Sequence, residues 1–187
     1  MTRLYFVRHG RAAAGWNVDP DPALDDVGRQ QSHEVAKILA RITPGAIFTS
    51  PLRRCQETSQ PLAALWNLVA QIEPTVAEIP SPEGIALCDR IDWLRPAMAG
   101  TWSELIAANG PRYSTYRDGL LSAVATISHD AVVFSHFIAI NVVIGAALRD
   151  DRVVVASLDN CSVTIVDVVD GVFTINQIGN ESDTLIR

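Results

Sequence analysis

Cysteine is scarce in this 187-residue chain. Its three examples, Cys55, Cys88 and Cys161, are odd in number, widely spaced and never paired as CxxC. That pattern excludes a disulfide framework and a structural zinc site, and leaves buried free thiols as the expectation. Lysine is scarcer still: Lys37 stands alone against fourteen arginines, and the net charge is -6. An acidic balance without a basic stretch argues against DNA or RNA as partners. The N-terminus Met1-Thr2-Arg3-Leu4-Tyr5-Phe6-Val7-Arg8 reaches a charge too soon for a signal peptide or a membrane span, so no membrane association and a cytoplasmic location are expected. No GxxxxGK[ST] loop, GxGxxG fingerprint or GxSxG elbow occurs. Nucleoside triphosphate, dinucleotide and serine-hydrolase chemistry therefore lack their usual warrant.

What is present is an ordinary globular composition, 48% hydrophobic and 19% charged, with no low-complexity tract, internal repeat or linker. A single domain over residues 1–187 is the expectation. Leu4-Tyr5-Phe6-Val7, Ala46-Ile47-Phe48-Thr49 and Val132-Val133-Phe134 read as buried strands. Helical spacing follows each of them, over residues 27–42, 52–68 and 138–148, with Ser50 placed to cap the second helix and Pro51 to open it. Strands 163–168 and 172–178 flank Asp170-Gly171 as a closing hairpin. Repeated strand–helix units predict a three-layer α/β/α architecture with a mostly parallel central sheet. A mainly helical insertion is expected at about 80–127, with helices over 91–98, 102–108 and 113–127.

In open α/β sheets, ligands bind beyond the carboxyl ends of the strands, and the unusual residues collect there. The first strand delivers Arg8 and His9, the second Ser50, Arg53 and Arg54, and the third His136. Arg53 and Arg54 occupy the first turn of a helix, where the partial positive charge favours acids. A bound phosphate or carboxylate explains two cations there; a solvated helix end pairing an arginine with Glu57 explains them equally well. Neither histidine lies in an HExxH pattern and no acidic cluster stands out, so no metal and no cofactor are expected.

Arg8-His9-Gly10 after the first strand, Ser50-Pro51-Leu52-Arg53-Arg54-Cys55-Gln56-Glu57-Thr58 after the second and His136 after a later one resemble the histidine phosphatase superfamily, the phosphoglycerate-mutase-like fold. Leu24-Asp25-Asp26-Val27-Gly28 resembles the opening of that family's first helix, and the likeness thins between Ser81 and Ala131. The resemblance implies a phosphoryl-transfer enzyme acting on a small phosphorylated substrate, with His9 as nucleophile and Arg8, Arg54 and His136 forming the phosphate pocket. It implies a general acid at Glu78, with Glu83 as the second choice. A metal-independent phosphatase working through phosphohistidine is the leading expectation. A phosphoglycerate-type mutase, a phosphohistidine phosphatase and a non-catalytic phospholigand binder are the alternatives.

Two departures stand out. Phe137 follows the second histidine where Gly is frequent in the family, and Trp16-Asn17 is displaced by Ala12-Ala13-Ala14-Gly15, so Asn17 is carried over only as a phosphate contact. Phe137, Trp102 and the Pro80-Ser81-Pro82 turn are expected to rim a partly apolar substrate pocket. His33 and His129 read as surface histidines, Trp66 and Trp93 as core, and Asn160-Cys161-Ser162 as a turn. Val153-Val154-Val155 reads either as a strand or as the contact surface of a homodimer.

Overall fold

The computed structural model describes residues 1–15, 17–43 and 45–182. Strands β1 (Thr2–Arg8), β2 (Ala46–Thr49), β3 (Gln71–Ile72), β4 (Ala131–Ser135), β5 (Val163–Val169) and β6 (Val172–Gln177) form one sheet, in the order β3-β2-β4-β1-β5-β6. β3, β2, β4 and β1 run parallel, whereas β5 is antiparallel to β1 and to β6. This is the mostly parallel sheet expected, closed by the predicted hairpin. The two-residue edge strand β3 was not anticipated, being too short to give a periodic signal.

Helices α1 (Asp26–Leu39), α2 (Arg53–Trp66), α3 (Arg90–Ala99), α4 (Trp102–Asn109), α5 (Arg112–Ala125) and α6 (Phe137–Leu148) complete the fold. Strand pleating decides which covers which face. Val7, Val132 and Phe134 point to one side and pack with Val35 and Leu39 of α1 and Leu62 of α2. Leu4, Phe6, Ala131 and Val133 point to the other, into a larger core shared with α3, α4, α5 and α6. α6 is apolar apart from Asn141 and nine of its residues are buried, as suits a helix enclosed by protein.

Several boundaries differ from the sequence reading. α1 stops at Leu39 and Ile42 lies in the turn beyond it; α2 stops at Trp66, where Asn67 adopts a left-handed conformation, φ 53°. Ser50 does not cap α2. The N-cap is Leu52, without a side-chain bond, and the Ser50 hydroxyl accepts instead from the Leu52 N–H. Val153-Val154-Val155 is neither strand nor open contact surface: Val153 is fully buried, and the other two are partly buried against the same core. Buried Asn141 fixes this loop, its Oδ1 accepting from the Val155 and Ala156 N–H groups and its Nδ2 donating to the Ala156 and Phe137 carbonyls. Cys55 is buried, but Cys88 is exposed and Cys161 only half-buried; all three are free thiols. Among the described residues no helix is long and apolar enough to cross a membrane.

Candidate active site

Strand register builds the site. β1 pairs with β4 so that Arg8 stands opposite Ser135, and β2 pairs with β4 so that Thr49 stands opposite Phe134. The residues that leave the three strand ends, His9, Ser50 and His136, are thereby forced side by side. The His9 N–H donates to the Ser135 carbonyl at 3.0 Å and the Ser50 N–H to the Phe134 carbonyl at 3.0 Å. The imidazoles of His9 and His136 lie edge to face, 5.2 Å between centroids.

Arg54 ties the two rings together. Its Nε donates to His9 Nε2 at 3.1 Å and its Nη2 to His136 Nδ1 at 3.1 Å. The neighbours assign both tautomers. His9 Nδ1 faces the Gly10 carbonyl at 2.8 Å and carries the hydrogen, which leaves the lone pair on Nε2. His136 Nε2 faces the Ser50 hydroxyl at 2.7 Å and carries its hydrogen there, so Nδ1 can accept from Arg54. Burial, then the charges of Arg54 and Arg8, holds the His9 imidazole well below its ordinary range. Burial and Arg54, with smaller contributions from His9 and Arg8, do the same for His136. Both rings are neutral at neutral pH. Cys55 Sγ lies 3.3 Å from His136 Nε2 and 3.3 Å from the Ser135 carbonyl; burial drives its thiol pKa upward, so it stays protonated.

Arg8 and Arg54 are each only 5% exposed, yet neither has a carboxylate partner among the ion pairs of the described residues. Arg8 Nη1 donates to the Leu158 carbonyl, and its guanidinium lies 5.0 Å from the centre of the Phe137 ring. Phe137, the residue that departs from the family pattern, thus serves as an aromatic wall beside Arg8. Burial lowers the Arg8 pKa to about 10, which leaves it charged at neutral pH. Arg8 Nε and Arg54 Nη1 are buried without a hydrogen-bond acceptor. An unsatisfied buried donor costs about 1–3 kcal/mol, more when charged, so the site is poised to accept an anion. The neighbouring Arg53 behaves oppositely: it is exposed and pairs with Glu57 at 2.7 Å. The ion-pair explanation of the helix-start cations therefore holds for Arg53, and Arg54 has no such carboxylate among the described residues.

Glu78 belongs to this cluster and Glu83 does not. The Glu78 carboxylate accepts from the Ile79 N–H at 3.0 Å and from the Ile138 N–H at 3.4 Å, two residues beyond His136. Burial raises its pKa, against the opposing pull of those amides and of Arg54 and Arg8. Two bonds hold the segment that carries it: Ser135 Oγ donates to the Val76 carbonyl at 2.6 Å and the Tyr116 hydroxyl to the Ala77 carbonyl at 3.0 Å. The Glu83 side chain is 94% exposed and faces Arg112 at 3.7 Å.

Other expectations fare differently. Asn17 sits half-buried in the turn that Val18 and Asp19 close on the Gly15 carbonyl. No hydrogen bond among the described residues joins its side chain to the histidines or arginines, and Trp16 lies outside the described residues. Trp102 is not a rim residue: it is 2% exposed, packs near Tyr116, and opens onto a separate cavity with Arg117, Val142 and Arg149. Pro80, Ser81 and Pro82 do line the cleft that borders Glu78. His33 and His129 are exposed.

Residues around the strand ends take on tertiary roles that the sequence did not assign them, including the turn read at Asn160-Cys161-Ser162. Asn160 Nδ2 donates to the His9 carbonyl at 2.8 Å, while Cys161, at φ 56°, donates its N–H to the Arg8 carbonyl at 2.9 Å. Thr58 Oγ1 accepts from the Gly10 N–H at 3.0 Å and donates to the Arg54 carbonyl at 2.6 Å, which links the two arginine-bearing motifs. A Cβ on Gly10 would lie 2.6 Å from the Gly28 carbonyl oxygen, and one on Gly28 would lie 2.1 Å from the Arg11 carbonyl oxygen. Two bare backbones therefore let the start of α1 press against the loop after His9. Asp25 caps that helix and also takes Arg11 Nε at 2.5 Å. The start of the first helix, with the acids Asp25 and Asp26 at its N-terminal end, is the brace of the His9 loop.

The sequence profile of the histidine phosphatase superfamily (branch 1) matches residues 4–181.

The chain belongs to the histidine phosphatase superfamily.

Among curated relatives of this superfamily member, it is 41% identical over 80 residues to the PE-PGRS family protein PE_PGRS11 of Mycobacterium tuberculosis, covering 40% of this chain and 14% of that one. It is 28% identical over 149 residues to Rv0525 of the same organism, covering 72% and 73%. The chain thus spans about a seventh of the first relative's length and about three quarters of the second's. Among solved structures, Bacillus stearothermophilus YhfR superposes with a TM-score of 0.78 at 22% identity, covering 97% of this chain and 98% of that one. The mycobacterial glucosyl-3-phosphoglycerate phosphatase Rv2419c gives 0.74 at 20%, covering 97% and 100%. Phosphoglycerate mutase from Bacillus anthracis gives 0.75 at 18%, covering 95% and 92%. These structures establish the phosphoglycerate-mutase-like α/β fold, and they include a phosphatase and a mutase.

Proposed function

We propose that this histidine phosphatase superfamily member hydrolyses phosphomonoesters, without a metal, through a phosphoenzyme on His9. The observation that carries this reading is the pair of buried arginine donors without acceptors, Arg8 Nε and Arg54 Nη1, beside a neutral imidazole whose lone pair is on Nε2. At rest, Arg54 Nε occupies that lone pair. An arriving phosphate offers the guanidinium a better, charged acceptor, so binding substrate also frees the nucleophile.

His9 Nε2 then attacks phosphorus, the N–P bond forms and the ester P–O bond breaks. Arg8 and Arg54 hold the equatorial oxygens as charge spreads over them, and His136 positions Arg54 through its Nδ1 lone pair. Protonated Glu78 gives its hydrogen to the departing alkoxide. In the second half, water attacks phosphorus, its proton passes to the Glu78 carboxylate and the N–P bond breaks, restoring neutral His9. The raised pKa of Glu78 suits the acid role, and the depressed pKa of His9 suits a nucleophile that must be unprotonated. Hydrolysis is favoured over mutase chemistry because the cleft bordering Glu78, about 480 Å³, is open to solvent. A mutase must keep its phosphoenzyme from water.

Turnover of an aryl phosphate in excess chelator, wild type against His9→Ala, tests the reading. Chelator-resistant release of phosphate that falls by at least about 10³-fold in the variant is expected. Activity abolished by chelator, or unchanged in His9→Ala, would overturn it. Isomerisation of a phosphoglycerate without phosphate release would assign the mutase reaction, and phosphate binding without turnover a binding protein.

A further inference from the structure

The cleft that opens from Glu78 has a chemistry of its own. Its walls include Pro51 and Leu52 ahead of α2, Ile79 and Pro82 beyond Glu78, and Ile85, and Arg90 lines it at the start of α3. Glu78 is the shared boundary: its carboxylate reaches the Ile138 N–H behind the histidines and also lines the cleft. A leaving group whose oxygen meets Glu78 therefore projects into this space.

The walls discriminate between classes of leaving group. At about 480 Å³ the cleft matches pockets that hold one small molecule. A sugar carries several hydroxyls, each needing a partner when it leaves water, and among the described residues the polar side chains lining the cleft are those of Glu78, Ser81 and Arg90. An apolar body loses nothing against proline and isoleucine walls and gains their burial. Proline walls are also stiff, so little ordering is needed on binding. Arg90 adds a guanidinium fork, which favours a carboxylate or similar anion on the far side of such a body.

We infer that the physiological leaving group is an apolar, ring- or chain-bearing alcohol with an anionic substituent, its body between Leu52, Pro82 and Ile85 and its anion on Arg90. This rests on the hydrolytic reading above and narrows it to a substrate class.

The test compares benzyl phosphate, 4-carboxybenzyl phosphate and glucose 6-phosphate. All three release a primary alkoxide, so the comparison reads the cleft rather than intrinsic leaving-group reactivity. In wild type, kcat/KM is expected to be at least about tenfold higher for benzyl phosphate than for glucose 6-phosphate, and higher again for the carboxylated ester. Ile85→Ser should erode the first preference. Arg90→Met should remove the second by about tenfold while leaving benzyl phosphate within about twofold, a split that general loss of structure would not produce. Equal turnover of benzyl and glucose esters, or a carboxylate preference untouched by Arg90→Met, would overturn the inference.

Calorimetric titration with the matching phenethyl- and 4-carboxyphenethylphosphonates separates the two levels. If no ester is hydrolysed but the carboxylated phosphonate binds more tightly to wild type and not to Arg90→Met, the hydrolytic reading fails and the subsite stands. If esters are hydrolysed and neither phosphonate preference appears, the subsite fails alone.

Discussion

The carboxyl edge of the parallel strands and the helical segment from Arg90 to Ala125 are built on different principles. At the edge, the side chains that matter lie at the last residue of a strand or up to five residues beyond it, and strand register carries them into contact. Arg8 opposite Ser135 brings His9 against His136, and Thr49 opposite Phe134 brings Ser50 within reach of the same ring. In the helical segment, position comes from packing between distant residues. Trp102 is buried in the large core, Trp93 stacks on Tyr113 at 5.8 Å, and Tyr116 reaches back to the Ala77 carbonyl. The first region concentrates buried charge. The second covers apolar surface and supports the chain that carries Glu78.

That contrast separates catalysis from stability, and substitutions can sharpen or break it. Arg54→Ala should reduce kcat/KM for an aryl phosphate by about 10³-fold, as expected for removing a donor that meets the transferring group, while the folded state persists. A loss of fold instead would mean the edge is structural first. In the other region, Trp102→Ala should cost about 3–5 kcal/mol in chemical denaturation by emptying core volume, with kcat per folded molecule nearly unchanged. A rate loss comparable to that of Arg54→Ala would dissolve the distinction.

The buried histidines give a smaller, pH-dependent effect. His9 and His136 have folded-state pKa values below the unfolded 6.5, so as pH falls through 6.5 the unfolded chain takes up protons that the folded chain refuses. Stability should decline below that point and be flat above it as far as these groups are concerned, with a shallower decline in His136→Asn. Denaturation midpoints across pH 5 to 8 check this, and an equal slope in the variant would contradict the assignment. The smallest effect is expected from Arg53→Ala. Its exposed pair with Glu57 is worth about 0.3–0.5 kcal/mol, and turnover should stay within about twofold of wild type.

How much was readable in advance follows the same division. Contiguous apolar strands ending in Arg8-His9 and Ser135-His136 announce themselves, since the distance from strand to functional group is local in sequence. The helices of the insertion were also legible one by one: those expected over 91–98, 102–108 and 113–127 form as Arg90–Ala99, Trp102–Asn109 and Arg112–Ala125. Their partners were not, because an apolar residue such as Trp102 looks the same whether it meets substrate or core. Ser50 deceived for a related reason: a serine ahead of a proline suits a helix cap, yet its hydroxyl goes to His136, a partner 86 residues away. Asn160 was hidden likewise, since holding the His9 carbonyl is a tertiary contact with no local sign. Arg53 and Arg54 show the limit most plainly. Adjacent and identical, they differ only in which side of the helix each faces, and Arg54 alone reaches the histidines.

As nucleophile His9 becomes covalently phosphorylated, and rapid acid quenching is unsuited to detecting this because phosphohistidine is acid-labile. Alkaline quench of the enzyme during turnover of an aryl phosphate, followed by intact-mass and peptide mass spectrometry, tests it most directly. A single phosphoryl group on the peptide containing His9, absent from His9→Ala and enriched in Glu78→Gln because water is no longer activated, is the predicted result. Steady turnover with no phosphorylated His9 peptide in either wild type or Glu78→Gln would contradict the account.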